Sequence, residues 1–331
     1  MDSPQLGVIG ILKEATCIPL KNKKLMLPII LLSTLSSSLL SLSNYVSIYP
    51  LLLNFIIKLY VLNQEDPSTP QFFDAIIGIK ADAEDFLHIY KVFIVASYLF
   101  SLLFIILVVQ ASAITYSGKE LTLEDLLKRI RGSWKAVLVT KIHFTFLYIG
   151  YTILSVSLIA VFMLDAEGSG VWIAMGVILG LLARVFYVYL GMVWMVGLVM
   201  SVLEDGCWGL EALSRAGEVV KGRRWQGFAL ATILLVADGV FTGGYGLGMG
   251  KSHAQVERVG VTGAVVVIVL QLLKVLSMMV HTVFYCECRG MNHKQGEFTY
   301  PKVINSNVTH SDDEAVLQEI CVCERGLLLV A

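Results

Sequence analysis

Ionisable residues inside the long apolar stretches are the first candidates for chemistry, and they are Arg184, Asp238, Lys274 and His281. A charge in the hydrocarbon of a bilayer costs a few kcal/mol or more, so such residues commonly mark a ligand site or an ion path. With a helical rise of ~1.5 Å per residue, Asp238 lies ~20 Å beyond Trp225 and Lys274 lies ~17 Å before Tyr285. The sequence therefore places Asp238 and Lys274 at one depth and makes them a candidate ion pair.

Two interpretations of these residues remain open. In the functional one, Arg184, Asp238 and Lys274, joined by Gln271, line a path or pocket for an ion, a proton or an anionic lipid headgroup. In the structural one, which we favour, a buried pair fixes the helix register and does nothing else. Removing one partner of a buried pair costs ~3–5 kcal/mol in either case. Loss of stability alone therefore does not separate them.

Enzyme motifs are absent from the chain, which has no G-x-S-x-G, H-E-x-x-H or Walker lysine. No catalytic residue, cofactor or metal site is predicted. The glycine-rich segment 238–250 does not follow a strand, so it is not a nucleotide-binding loop. Its glycine pairs at four-residue spacing predict close packing of the fourth and fifth spans, with a pore or hinge role as the alternative. These pairs are Gly239 and Gly243, Gly244 and Gly248, Gly246 and Gly250, and, in the fourth span, Gly176 and Gly180.

Composition predicts that the solvent of this chain is lipid. Apolar residues make up 56% of its 331 residues, charged residues 15%, and the mean hydropathy is +0.74, whereas soluble domains carry about a quarter charged residues. The net charge of −1 gives no basic field for nucleic acid. Because a hydrocarbon core ~30 Å thick needs about 20 apolar residues, we predict six spans, at 25–45, 89–115, 136–164, 171–203, 225–248 and 259–285.

The fold class is therefore all-α, a polytopic integral membrane protein with six transmembrane helices and cytosolic amphipathic surface helices. Residues 51–62 are also apolar, but they are short for a span and contain Asn54 and Lys58. We expect them to lie along the outer surface after Pro50. The alternative is a two-span hairpin over 25–62.

Lys and Arg gather in alternate loops, which by the positive-inside rule places both termini in the cytosol. The plasma membrane and an endomembrane fit the helix lengths equally. The residues expected to contact headgroups on the cytosolic side are Lys21, Lys23, Lys24, Arg131, Trp134, Lys135, Lys221, Arg223, Arg224 and Trp225.

Three segments ahead of the first, third and fifth spans have apolar residues at helical spacing, followed by a basic turn. They begin near Leu6, Thr122 and Trp208. We interpret each as a surface helix, the last one capped by Gly222, and propose three units of surface helix, basic turn and membrane hairpin.

The cysteines all fall on the predicted cytosolic side, so disulfides are not expected. Cys286 and Cys288, at the end of the sixth span, are candidates for reversible palmitoylation, although incidental thiols are the simpler interpretation. A zinc site that joins the C-x-C pairs with His293 or His310 is an alternative of unusual spacing.

Three regions divide the chain. Residues 1–24 form a cytosolic amphipathic arm, 25–290 the six-helix domain and 291–331 a flexible cytosolic tail. Ser311 and Glu314 have the spacing of a capping box, which predicts a short helix in the tail that could dock a cytosolic protein partner.

The segment "VMSVLEDGCWGLEALSRAGEVVKGRRWQGFAL" ends a long span in Leu-Glu-Asp and continues to Lys-Gly-Arg-Arg-Trp. With the opening "LGVIGILKEATCIPLKNKKLML", it resembles a plant family of uncharacterised multi-span membrane proteins. More distantly, it is similar to bacterial membrane domains associated with glycerophosphoryl diester phosphodiesterases. The resemblance implies the architecture and a plant source, and it brings no activity with it.

The sequence thus predicts a non-enzymatic membrane protein that serves scaffolding, membrane organisation or lipid-proximal regulation. Its expected partners are membrane lipids, a cytosolic protein at the tail and other copies through helix contacts. The alternative is a small transporter or channel that uses Arg184, Asp238 and Lys274, and a lipid-modifying enzyme comes third.

Overall fold

The computed structural model describes residues 6–64, 70–118, 123–164, 170–204, 206–250 and 256–290, and in these ranges all regular structure is helical. The helices are α1 (Val8–Lys21), α2 (Lys23–Gln64), α3 (Pro70–Tyr116), α4 (Leu123–Leu164), α5 (Gly170–Leu203), α6 (Leu210–Val220), α7 (Arg224–Gly250) and α8 (Val256–Cys288). A 3₁₀ turn, Lys221–Arg223, joins α6 to α7. The tail, with His293, His310, Ser311 and Glu314, lies outside the described residues.

Six helical segments in the described ranges are long and apolar enough to cross a bilayer. They are Lys23–Tyr60, Ile76–Tyr116, Arg129–Phe162, Gly170–Leu203, Leu210–Gly244 and Gly263–Cys288. The predicted all-α fold class with six spans is confirmed.

The first hairpin differs from the sequence prediction, because α2 continues without a break to Gln64 and contains Pro28 and Pro50. The expected surface segment after Pro50, and the alternative of two spans within 25–62, are therefore wrong. Proline removes a backbone hydrogen bond from a helix, but membrane helices tolerate this where neighbours support them. Here α3 runs beside α2, and the Lys58 Nζ lies 2.6 Å from Asp82 Oδ2.

The basic turns also differ from the prediction. α4 runs continuously through Arg131, Trp134 and Lys135, so no separate surface helix precedes the third span. Gly222 lies inside the 3₁₀ turn and does not have the positive φ of a glycine C-cap. Only α1 and α6 are thus separate short helices among the predicted surface helices.

Two glycines turn the chain from α5 into α6. Gly206 has a φ of 76° and Gly209 a φ of 65°, a region that other residues rarely adopt. The Gly209 amide donates a hydrogen bond to Thr140 Oγ1 at 2.8 Å, which ties the start of α6 to α4. One face of α6 is buried at Ala212, Ala216 and Val220.

The core lies where the ends of α3, α5 and α8 meet α1 and α6. We call this region the basic end, because it also carries the basic 3₁₀ turn Lys221–Arg223. α1 buries Ile11, Ala15 and Ile18 completely, against the end of α8 among others. The last third of α3 and the last half of α5 are buried at the same place. α1 is therefore part of the core and does not simply rest on a lipid surface.

The remaining parts of the long helices form what we call the far half, residues 45–64, 70–99, 146–164, 170–186, 235–250 and 256–274. Among the far-half residues whose side chains are described, only Gly176 is buried. Large apolar side chains such as Phe146 and Val171 are 71% and 70% exposed. Lipid is the environment that such a surface requires.

The glycine contacts predicted for α7 do not form at the three predicted glycines whose surroundings are described, whereas Gly176 of α5 is buried. A Cβ added at Gly239, Gly243 or Gly244 would meet no other atom within 4 Å, and one at Gly180 would meet only Ile159 of α4. The close approach of α7 to α5 and α8 is at Gly227 instead. A Cβ there would lie 2.5 Å from Met192 Sδ and 2.8 Å from Phe284 Cζ. Gly246, Gly248 and Gly250 have no described surroundings.

Candidate functional site

An open groove of about 260 Å³ lies between α5, α7 and α8, and three of the predicted intramembrane residues line it. The apolar part of its wall comes mainly from α5 and α7. The residues of the wall are Tyr187, Val188, Gly191, Met192, Met195, Ala231, Leu234, Leu235, Asp238, Leu273, Lys274, Ser277 and His281. The groove begins beside the buried core of the basic end and reaches into the far half.

The polar side of the groove belongs to one face of α8. Lys274, Ser277 and His281 follow each other at spacings of three and four residues, which places them in one row. The row extends over ~10 Å of the helix axis. Asp238 of α7 lines the same groove. The prediction included Lys274 and His281 but missed Ser277, although the i, i+3, i+7 pattern was visible in the sequence.

The two opposite charges in the groove are not directly paired. Among the described residues, no ion pair within 4.0 Å forms between Asp238 and Lys274 or between either of them and a third residue. Lys274 is exposed and Asp238 half-buried. The groove thus offers a carboxylate and an ammonium group that both remain available to an occupant.

His281 contributes a buried acceptor. Its side chain is 4% exposed, and Nδ1 lies 2.7 Å from the backbone oxygen of Ser277. Since a carbonyl only accepts, Nδ1 carries the proton, and Nε2 of the neutral ring is left as an acceptor. Among the described residues, Nε2 has no hydrogen-bond partner. A buried polar atom without a partner is uncommon and calls for an explanation.

Arg184 and Gln271 lie outside the groove. The exposed Arg184 guanidinium stacks over the Tyr187 ring, with 5.3 Å between its Cζ and the ring centroid. Gln271 Nε2 donates a hydrogen bond to Ser41 Oγ of α2 at 3.3 Å. The structure therefore brings together Asp238, Lys274 and His281 and separates them from the other two candidates.

Comparison with protein families decides what the chain belongs to. The family model DUF8558, a domain of unknown function, matches residues 2–297. The chain is a member of the DUF8558 family. No curated protein and no solved structure matches it. The resemblance to plant and phosphodiesterase-associated membrane proteins stays a prediction.

The basic end of this DUF8558 domain is built on Glu287, whose side chain is 5% exposed. Its Oε1 accepts a hydrogen bond from the Tyr116 hydroxyl at 2.5 Å, and its Oε2 accepts one from the Leu6 amide at 3.3 Å. Arg223 Nη1 lies 3.5 Å from Oε2. One carboxylate thus joins the chain ahead of α1, the end of α3, the 3₁₀ turn and the end of α8.

Glu204 makes a second connection at the basic end. Its Oε1 accepts hydrogen bonds from the Tyr285 hydroxyl and from Arg289 Nη2, which ties the end of α5 to the end of α8. Sequence reasoning missed both carboxylates. The available signal was an acid in an otherwise basic surrounding, as in Cys-Glu-Cys at the end of α8.

The predicted headgroup residues of the DUF8558 domain lie on the surface of the basic end, except for Arg223, which is held by Glu287. The exposed ones are Lys21, Lys23, Lys24, Arg131, Trp134, Lys135, Lys221, Arg224 and Trp225. Of the two tryptophans in this set, Trp225 is the more exposed, at 84% against 41% for Trp134. Lys21 pairs with Glu14, and Lys135 Nζ lies 5.8 Å from the centroid of the Trp134 ring.

The cysteines differ in access. Cys286 is 1% exposed, whereas Cys288 is half-buried, so Cys288 is the better palmitoylation candidate of the two. Cys207 is fully buried, and burial raises the pKa of its thiol. Cys17, Cys207, Cys286 and Cys288 are free thiols. No cluster of three or more His, Cys, Asp or Glu side chains suited to a metal ion occurs in the described part of the chain.

Proposed function

We propose that this DUF8558 protein is a non-enzymatic integral membrane protein that organises or senses anionic lipid at its basic end, which faces the cytosol together with both termini. The observation that carries the proposal is the exposure of Trp225, which directly follows the exposed Arg224 and comes four residues after the exposed Lys221. Exposed tryptophan next to basic residues is the usual arrangement at a membrane–water interface.

The connections within the basic end support this role. The exposed Lys221 and Arg224 lie on either side of Arg223, which pairs with the buried Glu287. The backbone that carries the two bases is therefore connected to the end of α8 and to the chain ahead of α1. A base near an anionic surface contributes about 1 kcal/mol of binding. A contact with anionic headgroups could thus be transmitted to the ends of the spans.

A transport function receives less support. Arg184 and Gln271 lie outside the groove that holds Asp238 and Lys274, so the four residues proposed for a path do not converge. The exposed apolar surface of the far half suits contact with lipid or with a second copy of the chain. Docking of a protein partner by the tail remains a prediction about residues outside the described ranges.

The proposal can be tested by tryptophan quenching in vesicles of phosphatidylcholine. Two vesicle preparations are compared, each with the same small fraction of lipid that carries bromine on its acyl chains. In one preparation the brominated lipid is anionic, and in the other it is phosphatidylcholine. The Trp225 signal is obtained as the difference between the wild type and Trp225→Phe. We expect stronger quenching by the anionic lipid, since each base enriches it about fivefold, equivalent to about 1 kcal/mol.

In the variant Lys221→Gln/Arg224→Gln, both brominated lipids should quench the Trp225 fluorescence equally. A matched control is Lys80→Gln/Lys91→Gln, which removes two exposed bases from the far half of α3 and should behave like the wild type. Equal quenching of the wild type by both lipids would contradict the proposal.

A further inference from the structure

We infer that the groove between α5, α7 and α8 binds a zwitterionic glycerophospholipid, with the amine of its headgroup beside Asp238, the phosphate beside Lys274 and an acyl chain along the apolar wall. This site is separate from the exposed bases of the basic end and does not depend on them. The inference rests on three properties of the groove: where it lies, which charges it offers and which polar atom it leaves without a partner.

The position selects an amphiphile. All residues of the wall belong to three candidate membrane spans, Gly170–Leu203, Leu210–Gly244 and Gly263–Cys288. The molecules that surround an open groove at this depth are lipids. Met192, Met195 and Leu234 lie nearer the basic end than Asp238 and Lys274, so the groove suits a lipid of the leaflet opposite the basic end, with its acyl chain directed toward the basic end. Met192, Met195 and Leu234 give it a wall against which an acyl chain packs. Methionine suits such a wall because its flexible side chain adapts to irregular shapes.

The charges select the headgroup. Asp238 and Lys274 line one groove, and among the described residues neither forms an ion pair. An anionic ligand would satisfy Lys274 and leave the carboxylate of Asp238 uncompensated in a poorly solvated place, which is costly. A headgroup with a phosphate and a primary amine two carbons apart satisfies both residues. The amine also donates hydrogen bonds to the carboxylate, and such charge-assisted bonds are the stronger kind.

The third property is the unpartnered Nε2 of His281. This acceptor is buried in a residue of the groove wall, about two helical turns from Lys274. An occupant with an N–H or O–H donor, or a water molecule that the occupant traps, would satisfy it. Together with the position and the charges of the groove, this acceptor supports an occupant with a donor group.

Native mass spectrometry tests the site. The full-length protein is reconstituted in nanodiscs with equal parts of phosphatidylcholine, phosphatidylethanolamine and phosphatidylglycerol. The protein is then released from the nanodiscs in the mass spectrometer, and the lipids that stay bound to it are identified. We expect phosphatidylethanolamine to be retained over phosphatidylglycerol by about tenfold, the ratio that one hydrogen bond to a charged group provides.

Two variants separate ligand binding from a structural role. Asp238→Asn should lower the ratio of phosphatidylethanolamine to phosphatidylglycerol toward one, whereas Lys274→Gln should reduce retention of both lipids. Lys91→Gln is the matched control, because Lys91 is an exposed base in the candidate span Ile76–Tyr116 and does not line the groove. It should leave the ratio unchanged. A purely structural role of Asp238 would not alter headgroup preference.

If a variant fails to fold, the wild type alone still decides. Excess lysophosphatidylethanolamine should then displace the retained lipid, and excess lysophosphatidylglycerol should not. Retention of lipids in the proportions of the nanodisc, or the same ratio in Asp238→Asn as in the wild type, would overturn the inference.

Discussion

The basic end and the far half of the bundle are built from the same helices but are held by different partners. At the basic end, apolar side chains of α1, α3, α5 and α8 are fully buried, and two carboxylates accept hydrogen bonds from several elements. In the far half, Gly176 is the one buried residue among those whose burial is described. The comparison teaches that contacts within the protein hold one end, while the other end presents an exposed apolar surface suited to lipid.

Membrane physics explains the contrast. Because lipid chains are as apolar as leucine, burial of apolar surface provides little driving force for the association of membrane helices. Close packing therefore requires small residues or hydrogen bonds between helices. The basic end has both, in Gly227 and in Glu287. In the far half, the Lys58–Asp82 ion pair is one polar contact between α2 and α3.

The largest expected effect comes from matched acid-to-amide changes in the two regions. Glu287→Gln leaves the side chain of Arg223, which is 11% exposed, without its carboxylate. The loss of one partner of a buried pair costs about 3 kcal/mol of unfolding free energy. Asp82→Asn removes a partner from Lys58, whose side chain is 39% exposed and lies near the end of the candidate span Lys23–Tyr60. Because its ammonium group can extend to the headgroup region, this change should cost below about 1 kcal/mol.

The unfolding midpoint of each variant in detergent, measured by size-exclusion chromatography after heating, checks this prediction. The variant Glu287→Asp keeps the charge and should recover part of the loss. A fall for Asp82→Asn as large as that for Glu287→Gln would mean that the far half is also held by protein contacts.

Two glycine-to-alanine changes sharpen the comparison at a smaller scale. Gly227→Ala places a methyl group 2.5 Å from Met192 Sδ and 2.8 Å from Phe284 Cζ. Overpacking of this kind costs about 1–3 kcal/mol, of which the flexible methionine relieves a part. Gly239→Ala meets no atom within 4 Å. In a helix it should be neutral or stabilise by about 0.5–1 kcal/mol.

The same heating assay gives the order of the midpoints, and we expect Gly239→Ala to be at or above the wild type and Gly227→Ala to be below it. If Gly239→Ala were the more damaging change, the close contact of α7 would lie in the far half, as the glycine spacing first suggested.

The smallest expected effect is a shift in the pH at which the Cys207 thiol of the basic end reacts with an alkylating reagent. Burial raises the pKa of the fully buried Cys207 thiol. The thiolate is the reactive form, so it should appear only at a higher pH than for a free cysteine. Peptide-level mass spectrometry of iodoacetamide labelling between about pH 7 and pH 10 follows this, with free cysteine, whose thiol titrates near ~8.5, as the reference. A pH profile that coincides with that of free cysteine would show that the basic end is open to water.

Much of the fold follows from local sequence. The six spans could be predicted because about 20 consecutive apolar residues have few alternatives to a membrane helix. Predictions that depended on a break in a helix were wrong. Pro50 does not end α2, Gly222 does not cap α6, and no turn interrupts α4. In α2 and α4, neighbouring helices support a continuous course, whereas at Gly222 a 3₁₀ turn takes the place of a glycine C-cap.

The sequence by itself determined that this protein is a bundle of membrane helices, with its lysines and arginines gathered toward one end and a few charges inside its spans. It also placed Asp238 and Lys274 at one depth, because the helical rise is constant. Only the tertiary structure decided which side chains share a groove. The rotation of each helix about its axis depends on contacts with helices distant in the chain. Asp238, Lys274, Ser277 and His281 therefore line one groove, whereas Arg184 and Gln271 do not line it.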